Sequence, residues 1–164
     1  MDVSFRPIVE QDFEAICTLV TSEEELFLVY DRGKYPLTTG QVRRLTENRM
    51  EPTVMLHHGR VVGFGCYYSY REAKSAFIGN IVLDRSMRGK GLGKRLVSHL
   101  IDRAFGDHDL PLVKLHVYTR NLPALLLYSA LGFQPYAMKV LEDYEGDPVL
   151  LLSLGLSRDA WLGR

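Results

Sequence analysis

The chain has 164 residues, enough for one domain with its own core. Twenty Lys and Arg balance twenty Asp and Glu, so the net charge is zero, which speaks against nucleic acid as the main partner. No apolar run approaches the ~18 residues that a membrane span requires, and the polar, acidic N-terminus does not read as a signal peptide, so a cytoplasmic protein without membrane contact is expected. Cys17 and Cys66 lie in apolar contexts without Cys-x-x-Cys spacing and read as buried free thiols of a reducing compartment.

Residues 1–164 read as a single domain, with an unassigned tail over 155–164 that contains Trp161. Ser4 to Val9 is a short strand whose Pro7 suits a sheet edge. Phe13, Ile16, Leu19 and Val20 recur at helical spacing. Ser22 can cap a further helical piece whose first turn holds Glu23, Glu24 and Glu25. Leu26 to Leu37 reads as irregular and aromatic, with Tyr30, Asp31 and Tyr35. Thr38 or Thr39 can cap a helix running to about Arg49, carrying Val42, Leu45 and Met50 inward. Val54 to His57 is a strand, His58-Gly59-Arg60 a hairpin turn, and Val61 to Tyr70 its long second arm. No metal-ligand spacing of the His-Glu-x-x-His kind exists, so no metal site is expected.

Lys74 to Leu83 is the central strand, ending in the apolar run Ile81-Val82-Leu83. A glycine-rich turn follows: Arg88-Gly89-Lys90-Gly91-Leu92-Gly93-Lys94. Leu96, Val97, Leu100, Ile101 and Ala104 then mark the inner face of an amphipathic helix. A helix start leaves backbone N–H groups without partners and carries partial positive charge, and glycine lets a ligand approach them. Cations crowding that end disfavour the helix by about 0.3–1 kcal/mol each, a sign that a bound polyphosphate reverses. A Walker loop fails, because Arg88 stands where its first glycine belongs and Arg95 where its Ser/Thr belongs. A dinucleotide fingerprint fails too, because Lys94 or Leu96 takes its third glycine position.

Further on, Leu112 to Tyr118 alternates as a strand, with His116 on the face opposite Val113, Leu115 and Val117. Asn121 then caps a leucine-rich helix that reads as buried, holds Ala124 and Tyr128, and ends at Gly132. Phe133 to Leu141 and Val149 to Leu154 are the last strands, joined by an acidic turn of Asp143, Glu145, Gly146 and Asp147.

Arg88-x-x-Gly91-x-Gly93 after an apolar strand, followed in order by Asn121-x-x-Ala124-x-x-x-Tyr128 and Leu131-Gly132-Phe133, resembles the GCN5-related N-acetyltransferases (GNAT). The resemblance covers roughly residues 3–155. It implies an α/β (α+β) fold with a mixed, mostly antiparallel sheet of about six to seven strands and about four helices. It implies acetyl-coenzyme A as cosubstrate and no metal. Backbone groups of Ile81, Val82 and Leu83 would pair with the acetyl carbonyl and pantetheine arm, and amides of Arg88, Gly89, Lys90, Gly91, Leu92, Gly93 and Lys94 would hold the pyrophosphate. Asn121 would bind the pantetheine region, and Tyr128 would protonate the leaving thiolate. The acceptor is expected to be a primary amine of a small molecule or peptide.

Many relatives place a glutamate base on the central strand, where this chain has Asn80. Tyr30, Asp31, Glu25 and His116 stand as candidate bases or acceptor contacts, beside a water relay held by Asn80. The acidic residues Glu23 to Glu25, Asp31, Asp143, Glu145 and Asp147 point to a cationic acceptor. The absent carboxylate leaves open a non-catalytic acetyl-coenzyme A-binding regulatory module. The oligomeric state, a homodimer included, stays open.

Overall fold

A computed structural model describes residues 1–164. Seven strands form one sheet in the order β1-β2-β3-β4-β5-β7-β6. They are β1 (Ser4–Pro7), β2 (Met50–His57), β3 (Arg60–Arg71), β4 (Ser75–Leu83), β5 (Leu112–Tyr118), β6 (Gln134–Glu142) and β7 (Pro148–Ser157). The helices are α1 (Phe13–Leu19), α2 (Glu23–Val29), α3 (Thr39–Glu47), α4 (Leu92–Gly106), α5 (Leu122–Ala130) and α6 (Arg158–Leu162). None is long and apolar enough to cross a membrane. Every neighbouring strand pair is antiparallel except β4–β5.

That exception shapes the molecule. The two parallel strands are joined by α4, as parallel pairing requires a crossover. They pair only through Ser75–Phe77 against Leu112–Lys114. Beyond Phe77 the strands part, and the edge of β4 that faces β5 has no strand partner. β3 continues to pair with β4 up to Leu83, so the parted edge is supported from behind.

Two cores cover the sheet. On one face, Ile16, Leu19, Leu26, Val42 and Leu45 of α1–α3 pack on Val54, Phe64 and Val82. On the other, the inner face of α4 packs on β3–β5 and β7. Leu96, Val97, Leu100, Ile101 and Ala104 are all fully buried, as their spacing requires. Burial of each large aliphatic stabilises the fold by about 1.5–3 kcal/mol, which fixes where the head of α4 points.

Local chemistry accounts for the boundaries. Ser22 and Thr38 cap α2 and α3 by accepting from Glu25 N and Gln41 N. β1 stops at Pro7, at the sheet edge. Between β3 and β4 the pairs Phe64–Val82 and Cys66–Gly79 set two residue steps against three. This bulge holds Asn80 at φ 55°, a left-handed conformation that Asn tolerates better than most residues.

Several expectations give way. The stretch after Leu26 is helical up to Val29, because α2 continues from its Ser22 cap. Met50 starts β2 instead of ending α3. The Leu-rich helix α5 is not buried all round: Leu122 and Leu126 are 58% and 63% exposed, and only Tyr128 is fully enclosed. One face, with Ala124, Leu125 and Leu127, packs on the sheet core, and the other leaves apolar leucines in the open. β6 is exposed on both faces at the sheet edge. Helices number six where about four were expected, partly because the tail forms α6.

Trp161 anchors that last helix. It is buried against the α4 core, and its indole Nε1–H donates to Asp102 Oδ1 at 2.8 Å. Trp161→Ala removes a large buried ring and leaves Asp102 without its donor, which is expected to cost about 3–5 kcal/mol. Thermal denaturation should show Tm lowered by roughly 10 °C; a shift within about 2 °C would mean that the tail contributes nothing to the fold.

Candidate functional site

A cleft of about 960 Å³ fills the gap between the parted strands, the upper range for ligand sites. One wall is β4 from Gly79 to Leu83, continued by Arg88, Gly89, Gly91, Gly93 and Lys94. The opposite wall is His116, Val117 and Tyr118 of β5, then Asn121, Ala124, Leu127 and Tyr128. A third side is the end of α2, with Tyr30, Asp31 and Arg32, together with Asn48, Arg49 and Tyr68.

The glycine turn is built for backbone approach. Gly89 and Gly91 have φ of +74° and +77°, and a Cβ on either would meet nothing within 4 Å. Gly91 caps α4 without a side-chain hydrogen bond. The first intrahelical bond runs from Arg95 N to Gly91 O at 3.2 Å. The N–H groups of Leu92, Gly93 and Lys94 therefore have no acceptor within the helix. The Leu92 side chain is buried beneath the turn and pins it, while Lys90 lies off the cleft.

Arg88 enters differently from expectation. Its amide already bonds Arg85 O, so it does not join the free set. Its guanidinium donates from Nε and Nη2 to Leu83 O at 3.1 and 3.0 Å and from Nη1 to Glu25 Oε1 at 2.7 Å. Arg88 thus braces the turn against the end of β4 and against α2. Burial alone would push the Glu25 carboxyl up, but hydrogen bonds from Arg88 and from the Thr21 amide and hydroxyl outweigh it and hold it at about 2. The pair is intact above the ordinary carboxylate range and is lost only as pH falls through that value. Glu25 therefore carries no proton-accepting role at neutral pH.

Asn121 caps α5 through Oδ1, 3.4 Å from Ala124 N, which leaves its Nδ2 free. Tyr128 is buried against Phe133, and no group of the chain accepts from its hydroxyl. Burial pushes this phenol above its ordinary pKa, so it keeps its proton at neutral pH. Tyr118 donates to Asp31 Oδ2 at 2.8 Å. Burial, then the Asp31 carboxylate, push the Tyr118 phenol up as well. His116 is exposed on the cleft wall; partial desolvation there lowers its imidazole below its usual value, and Nδ1 sits 3.0 Å from Ser153 Oγ.

Asn80 is occupied. Its Oδ1 accepts from Arg49 Nε at 3.0 Å and from Cys66 Sγ at 3.1 Å, and its Nδ2 donates to Val29 O at 2.8 Å. Burial pushes the Cys66 thiol up to about 12, so it remains a neutral donor. The side chain ties β4, β3, α2 and the α3–β2 junction into one knot. Arg49 and Tyr68 carried no motif in the sequence, and no local signal marks either. Of the acidic residues, Glu25 and Asp31 line the cleft. Asp143, Glu145 and Asp147 cluster within 4.8 Å in the β6–β7 turn, where Asp143 accepts from Arg120 and from two turn amides.

The chain is similar in sequence to the spermine/spermidine N(1)-acetyltransferase of Bacillus subtilis (strain 168), 26% identical over 160 residues that cover 94% of this chain and 100% of that protein. A shorter match joins it to a mycothiol acetyltransferase of Thermomonospora curvata, 37% identical over 97 residues, 55% of this chain and 29% of the relative. In fold it is similar to the spermidine N-acetyltransferase of Vibrio cholerae crystallised with CoA and spermine, with a TM-score of 0.83, 19% identity and 98% of each chain covered. The ribosomal-protein-alanine N-acetyltransferase of Brucella melitensis gives a TM-score of 0.78 at 19% identity, covering 94% of this chain and 99% of that one. The model of the acetyltransferase (GNAT) family matches residues 13–133, and the chain belongs to that family.

Proposed function

We propose that this protein transfers the acetyl group of acetyl-coenzyme A directly to a primary amine of a small molecule. The observation that carries the reading is the unpaired edge of β4 running into the free amides at the head of α4. An extended pantetheine arm can add to such an edge as a further strand does, and a diphosphate suits the amides. The cytoplasm is the compartment we assign, which agrees with the two free cysteines.

The amine nitrogen attacks the thioester carbonyl, the C–N bond forms, and the developing oxyanion is met by a β4 amide. Such donors are typically worth about 2.7–4 kcal/mol. Collapse breaks the C–S bond, and the thiolate takes the Tyr128 proton. Burial that keeps the phenol protonated suits it to that task. The proton lost by the amine passes to His116, which lines the cleft beside β4 and whose imidazole, lowered below its usual value, is neutral and able to accept. In the tautomer that donates from Nδ1 to Ser153, the lone pair on Nε2 is the acceptor.

Release of free thiol across a panel of amines tests the activity itself; binding of acetyl-coenzyme A without thiol release from any amine would make the protein a binding module. Tyr128→Phe should lower kcat by about 100-fold or more, leave acetyl-coenzyme A affinity unchanged and cost no stability, because the hydroxyl has no partner to lose. An unchanged kcat would remove Tyr128 from the chemistry. For His116, kcat should fall as pH drops through a value below 6.5, where the imidazole charges. His116→Gln should erase that limb and slow turnover about 100-fold; a full rate with the same pH profile would assign proton removal to water.

A further inference from the structure

The acceptor side of the cleft carries charges of both signs. Glu25 is paired with Arg88, while Asp31 accepts only from the neutral Tyr118 hydroxyl and keeps its negative charge. The acidic β6–β7 turn does not line the cleft. Two guanidinium groups, Arg32 and Arg49, do line it, and neither takes part in any ion pair of the chain.

Arg49 is the better placed of the two. It is half-buried, and its Nε donates to Asn80 Oδ1 at 3.0 Å while Nη1 reaches Asn48 O at 3.3 Å. Its Cζ sits 5.4 Å from the centre of the Tyr68 ring. These anchors are all neutral: they fix the guanidinium in place and leave its charge uncompensated. A guanidinium has five N–H donors in a rigid fork, so most remain for a planar or tetrahedral anion, which they bind bidentately. Asn80, which holds Arg49, directly precedes Ile81, the first residue of the stretch that faces the thioester.

We propose, on the acetyl-transfer reading above, that the acceptor is an amine carrying its own anionic group close to the nitrogen. Arg49 binds that carboxylate, phosphonate or phosphinate and so sets the amine against the thioester. The acceptor is thus amino-acid-like. A polyamine would bring further positive charge to an unpaired guanidinium. A peptide N-terminus would present a neutral amide where Arg49 requires an anion.

The test is steady-state thiol release by the intact protein with the common amino acids, their carboxamides, the amines left by decarboxylation, their aminophosphonate analogues, and spermidine. The best anionic acceptor should exceed its own carboxamide and decarboxylated amine by about 100-fold in kcat/KM. The phosphonate arm shows whether the fork prefers a planar or a tetrahedral anion. Arg49→Met, which keeps the stem packed on Tyr68, should lower kcat/KM for that acceptor about 100-fold, mainly through KM, and for its carboxamide less than about threefold. Equal losses for both would make Arg49 structural and overturn the proposal. Preference for spermidine or for carboxamides would overturn it and leave acetyl transfer standing. Absence of thiol release with every amine tested would bring down both.

Discussion

The structure depends on two parallel strands that stop pairing too soon. Had β4 and β5 continued their ladder past Phe77 and Lys114, the main-chain groups of Gly79 to Leu83 would all be satisfied and the sheet would have no cleft. Backbone polar groups without partners are costly unless water or a ligand meets them. The parting therefore needs support from elsewhere. β3 holds β4 from behind, the α4 core holds the crossover, and Arg88 locks the last β4 carbonyl to the turn and to α2.

The turn at Gly89–Gly93 meets the second need. A ligand stretched along the parted edge must end on something, and three unpartnered amides at the head of a firmly buried helix supply it. The two residues with left-handed φ are glycines, and the space beside them is open. Side chains there would fill the approach that the backbone offers.

What the sequence allowed one to read follows from the range of the forces involved. The strand–turn–helix unit from Ser75 to Gly106 and the Asn121–Tyr128 helix are written in local terms: apolar spacing, capping and glycine. Those were legible. The acceptor side was not. Arg49, Tyr68 and Asn80 meet only because a bulge, the end of α2 and the α3–β2 junction converge in space. Asn80 stood out as a missing carboxylate, but its role as a knot between four elements has no local signature. The acidic runs were legible as charge, and the ion pairs Arg88–Glu25 and Arg120–Asp143 that occupy part of them were not. Trp161 looked unassigned because its partner, Asp102, lies far away in the chain.

The central claim is that free amides at the head of α4 grip a diphosphate. Isothermal titration of acetyl-coenzyme A into wild type and Gly91→Asp tests it most directly, with thermal denaturation as the check that the variant folds; aspartate is among the residues that best tolerate the left-handed φ at this position. A carboxylate placed in the cradle should abolish measurable binding. An unchanged affinity in a folded Gly91→Asp protein would contradict the account.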